Sequence, residues 1–484
     1  MRMFDIRPVG YVIGILVAFV GAMMIFPMSL DYVDGNPHWT IFAECGAITF
    51  LCGTFIAMAS SNGKAEGLDI QKTFILTTSV WVILPLFGAL PFYFGATQAV
   101  LVDAFFEAVS GMTTTGSTVF SGLDDLPRGL LLWRGILQWL GGIGIIVVAM
   151  AFLPELRVGG MQVFRAEAFD TMGKILPRAT QIASQISSIY VVLTLACFLS
   201  YLAVGMGGFD ALVHALTTIS TGGFSNYDAS FGTFSGPAEY VASVYMILAA
   251  LPFVRYVQML NGNASAIWHD SQVIVFLAII LILATGTTFI LVSIFPHHHE
   301  QAFREALFNI TSIISGTGYA SVDYMQWGGF LIAMFFFVGL VGGCAGSTAC
   351  SVKIFRYQIM VASIRSQLRR IHSPNGVFIP RFQGRTIDDD VMNSVMSFFV
   401  VFFVTLGVLA ILLGMTGLDF VTALSGAATA VANIGPGLGD QIGPAGNFEN
   451  INVTAKWLLI VGMLLGRLEL MTVFILFTPR FWRN

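Results

Sequence analysis

Charge is what this chain has little of. Asp, Glu, Lys and Arg make up only 10% of its 484 residues, against about 25% in soluble domains, so the chain cannot cover itself with a water-facing surface. The net charge of −4 carries no basic excess, and no nucleic-acid partner is expected. The five cysteines, Cys45, Cys52, Cys197, Cys344 and Cys350, are odd in number and lie mostly inside apolar runs, so no disulfide framework is implied. Cys344 and Cys350 are too few for a metal site and read as small packing residues. His297, His298 and His299 have no spaced partner and read as a polar loop rather than as metal ligands. There is no phosphate-binding GxxxxGK loop, no dinucleotide fingerprint and no HExxH. Without an acid, base and nucleophile at membrane depth, neither enzyme chemistry nor a cofactor is expected. Energy and regulation must come from ion gradients or from another chain.

What is abundant is apolar surface, at 56% of residues including 43 Phe. Runs long enough to cross a bilayer fall near 10–30, 39–60, 72–94, 128–152, 184–206, 240–260, 271–295, 326–357, 392–415 and 455–478, which predicts an all-α membrane protein of about ten spans. The first run, preceded by Arg2 and Arg7, imitates a signal peptide. It is long, lacks an A-x-A ending and is followed by another span, so it reads as a membrane helix.

Between these runs one kind of segment recurs four times: DAFFEAVSGMTTTGS from Asp103, DALVHALTTISTGGF from Asp210, EALFNITSIISGTGY from Glu305 and TALSGAATAVANIGP from Thr422. Aligned without gaps, they bring Gly116, Gly223, Gly318 and Gly435 to one common position. About ten helical residues at roughly 1.5 Å each span about 15 Å, half a bilayer core, so each segment is expected to enter the membrane without crossing it. The acids Asp103, Asp210 and Glu305 suit helix N-termini. Non-helical backbone at membrane depth is tolerated only inside protein or along a watery cavity. Four such loops on one axis would form a ring of carbonyl oxygens able to replace the water around a bare cation, and glycine permits the backbone angles that turn carbonyls inward.

The four segments follow the third, fifth, seventh and ninth spans. The expected division is therefore two extra helices in 1–71 and four helix, pore loop, helix repeats in 72–183, 184–270, 271–391 and 392–484. Lys and Arg mark the inner loops: Lys64; Arg157, Arg165, Lys174 and Arg178; and Arg365, Arg369, Arg370, Arg381 and Arg385, with Arg480 and Arg483 at the end. Both termini are then cytoplasmic and all four glycine loops face outward. Repeats that all begin on one side are parallel, which favours a pore over an inverted-repeat carrier.

An unbroken eighth helix from Gln326 to about Met360 would be roughly 52 Å long, well beyond a core of about 30 Å. The glycine-rich stretch 339–351 is expected to interrupt it below the pore loops; a glycine-lined helix contact is the alternative. Arg467 stands midway along the last predicted span, where an arginine costs about 2.5–3.5 kcal/mol. It is expected to face the pore, the alternative being a buried pair with Glu469, although residues two apart on a helix do not face each other. Arg134 and Arg255 read as snorkelling structural residues at span ends, and Lys353 as a candidate for the inner vestibule.

The TTTG, STGG, SGTG and ANIG segments, with WRGILQWLGGIGIIV at 133–147, GGCAGST at 342–348, NIGPGLG at 433–439 and KWLLIVGMLLGRLEL at 456–470, resemble the Trk/Ktr/HKT superfamily of potassium transport proteins, in particular its bacterial TrkH-like subunits. The resemblance covers nearly the whole chain. It implies uptake of K⁺, and of Rb⁺, across the bacterial inner membrane, an intramembrane gate loop, a homodimer, and a cytoplasmic TrkA-type nucleotide-binding partner for which the basic 358–391 loop is a docking surface. It also assigns the arginine of LLGRLE to the pore. The chain departs from the usual run at Ala349, Cys350 and Ser351, where glycines are common after GGCAGST.

The expected K⁺ filter is the shared glycine and the two residues before it in each copy: Thr114, Thr115, Gly116; Thr221, Gly222, Gly223; Gly316, Thr317, Gly318; and Asn433, Ile434, Gly435. Ser117, Phe224, Tyr319 and Pro436 follow as outer ligands or steric support. The expected gate is Gly342, Gly343, Cys344, Ala345, Gly346, Ser347 and Thr348 with Arg467. Because the copies differ apart from glycine, selectivity over Na⁺ is expected to be modest. The rivals are a K⁺ carrier coupled to H⁺ or Na⁺ and a polytopic membrane enzyme.

Overall fold

In lipid every backbone polar group must be satisfied within the protein, which leaves helices as the natural solution for so apolar a chain. The computed structural model describes residues 5–62, 69–151, 179–294, 298–468, 470–479 and 481–482, and these are mostly helical. The one sheet among the described residues is a two-stranded hairpin, Arg381 opposite Thr386 and Phe382 opposite Arg385. The basic residues expected at 64, 157, 165, 174, 178, 480 and 483 lie outside the described residues.

The first two helices, Arg7–Met23 with its continuation Ile25–Val33, and Trp39–Ala59, pack against each other where glycines face backbone. A Cβ on Gly53 would stand 2.2 Å from the Ala18 nitrogen. Small residues are what let apolar helices approach closely in lipid, where no hydrophobic driving force joins them. Gly53→Val should therefore cost about 1–3 kcal/mol of overpacking; thermal unfolding of the purified variant checks this. The pair is tied to the rest by Asp31, which accepts from the Gly129 amide at 2.7 Å and meets His38 Nδ1 at 3.0 Å, and by the Arg128–Asp34 ion pair at 3.0 Å.

After these, the chain four times runs helix, short helix, extended loop, helix. The short helices are Leu101–Met112, Gly208–Ile219, His299–Ser315 and Phe420–Ala432. Asp103 and Asp210 lie in the first turns as expected. Glu305 does not: the third helix begins six residues earlier, and its first-turn acid is Glu300. Arg304 supports that extension by pairing with Glu300 at 3.0 Å and with Glu239 of the second repeat. In the fourth copy Asp419 caps the helix, accepting from the Thr422 amide at 3.1 Å; bonds to Thr422 hold this carboxyl below its usual range.

Among the described residues six helices are long and apolar enough to cross a bilayer, and the departures from ten continuous spans have local causes. The run expected at 240–260 is two helices, Pro237–Ala250 and Phe253–Leu260, bent by 87°. Pro252 at the bend has no amide hydrogen to continue the ladder. The eighth run does break as its length demanded: helix Gly329–Gly339, a non-helical stretch 340–353, then helix Ile354–His372. The last run is shorter than expected. Val453–Arg467 ends at Arg467, which therefore stands at a helix C-terminus rather than at mid-span; a carbonyl end is a favourable place for a cation.

Candidate functional site

Each short helix ends in the same way. The residue after its last turn takes a left-handed backbone: Thr114 at φ 52°, Thr221 at 51°, Gly316 at 76° and Asn433 at 52°. Two residues on, Gly116, Gly223, Gly318 and Gly435 are left-handed again, at 86°, 75°, 82° and 107°. Thr115, Gly222, Thr317 and Ile434 between them are not. In each copy the amide of this middle residue donates to the carbonyl five residues back, Ser110, Thr217, Ser312 and Thr429, at 2.9–3.1 Å. That is the longer bond of a Schellman C-cap. Two of the capping positions hold threonine, a β-branched residue for which positive φ is a true outlier, and such strain persists only where surroundings impose it.

The four loops close on one another. A Cβ on Gly116 would lie 2.1 Å from the Gly222 oxygen, on Gly223 1.9 Å from Thr317 O, on Gly318 1.9 Å from Ile434 O, and on Gly435 2.9 Å from Thr115 O. Each glycine thus backs onto the middle carbonyl of the next loop, and the fourth returns to the first. All four glycines line one cavity of about 300 Å³, together with Ser117, Phe224 and Pro436. Ser117 Oγ donates to Gly435 O at 2.7 Å and Asn433 Nδ2 to Thr115 Oγ1 at 2.8 Å, joining the first and fourth loops. The Tyr319 hydroxyl meets Thr217 Oγ1 at 2.5 Å, joining the third to the second. Two of the residues after the glycines, Ser117 and Tyr319, therefore brace the ring from one repeat to another.

Beneath the ring lies the broken stretch, with Gly342, Gly343, Cys344, Ala345, Gly346, Ser347 and Thr348 all buried. A break in a membrane helix leaves orphan amides and carbonyls, and here two breaks satisfy each other. The carbonyls freed at the Pro252 bend, Ala249 O and Ala250 O, accept from the Thr348 amide and hydroxyl at 3.3 and 3.0 Å and from the Cys344 amide at 3.0 Å. Gly346 O accepts from the Phe253 amide at 2.9 Å, and Gln272 Oε1 takes the Ala345 amide at 2.9 Å. Cys350 carries the stretch up to the ring: its Sγ is 3.6 Å from Thr114 Oγ1 and 2.8 Å from Arg467 Nη1. Arg467 is buried, and its Nη2 donates to Gly141 O at 3.3 Å. Its expected rival partner, Glu469, lies outside the described residues. Lys353 Nζ folds back onto Ala349 O within the same stretch.

The family model for TrkH, a cation transport protein, matches residues 39–484. The chain is 44% identical to the Trk system potassium uptake protein TrkI of Halomonas elongata, over 99% of this chain and 97% of that one. It is 34% identical to the Trk system potassium uptake protein TrkH of Escherichia coli K12, over 99% of both chains. The crystal structure of the potassium transporter TrkH from Vibrio parahaemolyticus superposes with a TM-score of 0.90 at 32% identity, covering 99% of this chain and 100% of that one. The chain belongs to the TrkH family.

Around the ring of this TrkH-family chain are residues that sequence reasoning missed or misread. Arg134 does not snorkel. It is buried, pairs with Glu107 at 2.8 Å, donates to Ser225 O at 2.7 Å and lies over the Phe224 ring at 4.1 Å. Glu107 Oε2 in turn accepts from the Val119 amide at 3.0 Å. One turn beyond Arg134, buried Gln138 donates to Gly222 O at 2.6 Å and accepts from the Phe224 amide at 3.0 Å. The signal available was the polar i, i+4 pair of Arg134 and Gln138 on an otherwise apolar span, which needs polar partners inside the protein. Arg255 is partly buried beside Asp270, at 2.7 Å. His298 and His299 stand at the start of the third short helix, while His297 lies outside the described residues.

Proposed function

We propose that the chain is the pore subunit of a Trk-type potassium uptake system, passing K⁺ and Rb⁺ across the bacterial inner membrane into the cytoplasm. The observation that carries this reading is the closed succession of four glycine loops around one cavity, each glycine against the next loop's carbonyl. Left-handed residues alternating with others bring successive carbonyls toward one side of a loop. Four such loops offer a set of oxygens that can replace the hydration shell of a monovalent cation. The ion-facing residues are the twelve from Thr114–Gly116, Thr221–Gly223, Gly316–Gly318 and Asn433–Gly435. Gly222 O already accepts a bond from Gln138, which makes the oxygen set unequal and suits a modest preference over Na⁺. The cargo is the transported ion, and no cofactor is needed.

The 340–353 stretch is the gate, with Arg467 supplying a fixed positive charge beneath the filter that slows cations and stops small leaks. Both termini face the cytoplasm. The basic residues of the helix Ile354–His372, with Arg369, Arg370 and His372 in its last turn, form the docking surface for a TrkA-type nucleotide-binding protein, and two copies of the chain associate as a homodimer. The names of the relatives support the cargo; charge placement supports the orientation.

Purified chain in liposomes of bacterial lipid tests this reading. The expected current reverses near the K⁺ equilibrium potential regardless of pH and Na⁺. A reversal potential that tracks the proton or Na⁺ gradient would instead identify a coupled carrier.

A further inference from the structure

Three of the four filter loops carry their own anchor at the middle position. Thr115 Oγ1 meets Thr113 Oγ1 at 2.7 Å, and Thr317 Oγ1 meets Ser315 Oγ at 2.7 Å, the same contact two residues back in each loop. Ile434 is buried, with its Cδ1 against Gly339, and lines one small cavity with Ile313 and Phe335. The second loop has glycine there, followed by another glycine, and a Gly-Gly pair is the least restrained backbone a chain can have. A Cβ on Gly222 would sit 2.4 Å from Gln138 Cδ, 2.5 Å from its Oε1 and 2.8 Å from its Nε2. The amide of Gln138 therefore occupies the space that a middle side chain would take.

The orientation of that amide is decided by its partners. The Phe224 N–H can only donate and so faces Oε1; the Gly222 carbonyl can only accept and so faces Nε2. Gln138 thereby grips the second loop on both sides of Gly223. Arg134, one turn away on the same helix, holds the following residue through Ser225 O and covers Phe224 with its guanidinium.

We infer that Gln138 is a positioning residue for ion selectivity: the first repeat supplies, across the repeat boundary, the anchor that the second filter loop lacks. This rests on the proposed K⁺ filter. Gln138 touches no ion in this scheme; it fixes the angle of the Gly222 carbonyl and, through Phe224, the left-handed Gly223. Gly222 itself is not left-handed, so a side chain at that position meets no backbone penalty once the Gln138 amide is gone.

Reversal potentials under K⁺/Na⁺ gradients, on protein purified as a single sharp species and reconstituted, test the inference. Gln138→Ala should lower K⁺ over Na⁺ permeability by about tenfold, the scale of one or two buried hydrogen bonds, while K⁺ flux persists. Gly222→Ser alone should also lose preference, because its side chain and the Gln138 amide compete for one space. The double variant Q138A/G222S should recover most of the wild-type ratio, the serine now anchoring its own loop. Should Q138A not purify, Gln138→Met, which keeps the volume and removes both hydrogen bonds, is read in its place. A wild-type ratio in Q138A, or a double variant no better than Q138A, would overturn the inference. Its failure is separable from that of the filter reading: a wild type with no K⁺ preference would sink the filter reading and this inference with it, whereas a selective wild type with an equally selective Q138A would sink the inference alone.

Discussion

Gly223→Ser should abolish K⁺ over Na⁺ preference, bringing the permeability ratio close to one in protein that still folds. Two effects act together. The left-handed backbone at φ 75° costs a residue with a Cβ about 1–2 kcal/mol, which a large membrane protein can absorb. The second effect is decisive: the new Cβ would meet Thr317 O at 1.9 Å, closer than any packed pair of atoms sits. Either the second loop or the third must withdraw by an ångström or more, and carbonyls displaced that far no longer match the ion they replaced water around. The same geometry ranks the other positions. Gly318→Ser, also at 1.9 Å, should be as damaging, Gly116→Ser at 2.1 Å nearly so, and Gly435→Ser, at 2.9 Å, the mildest. Reversal potentials of the four variants provide the check, and a ranking with Gly435 as the most sensitive position would contradict the arrangement described above.

The second large effect is expected at Arg467. Its guanidinium lies against Cys350, which itself touches Thr114 of the proposed filter. A cation leaving the proposed filter would pass this fixed charge, and two unit charges about 8 Å apart at an effective dielectric near 20 repel by about 2 kcal/mol, about thirtyfold in rate. Arg467→Ala removes that repulsion and also the bond to Cys350, so both the barrier and the tether of the gate are weakened. Flux in ⁸⁶Rb⁺ uptake should rise by about an order of magnitude or more. Arg467→Lys separates the two causes, since it keeps the charge but not the bidentate reach of the guanidinium. Low flux in the lysine variant assigns the barrier to charge; high flux assigns it to the tether. Unchanged flux in folded Arg467→Ala would make the residue purely structural.

Two mutually satisfying breaks would let the proposed gate be ordered and yet movable. The Pro252 bend exposes the carbonyls of Ala249 and Ala250, and the 340–353 stretch fills them with its own amides. Each of these bonds contributes only about 0.5–1.5 kcal/mol net. A handful of them can hold the stretch under the filter without locking it there, and once it moves the freed groups need water, which an open pore supplies.

Much of this protein could be read from spacing alone. Hydrophobic run length and the gapless fourfold alignment of Gly116, Gly223, Gly318 and Gly435 determined a membrane protein with repeated half-helices, because bilayer thickness and helix rise are constants that a count of residues can be compared with. The same arithmetic required a break in the eighth run. It could not see the bend at Pro252 or the early end of the last helix at Arg467, since both runs are short enough to cross unbroken and nothing in their length forces a stop. What only the tertiary structure decided was partnership. That Glu107 belongs to Arg134, that Cys350 belongs to Arg467, and that Gln138 stands in for a side chain missing 84 residues away depend on which helices lie side by side. Periodicity reports which face of a helix is apolar, but a polar residue's partner across a repeat boundary is set by packing in three dimensions, for which one chain read alone carries no measure.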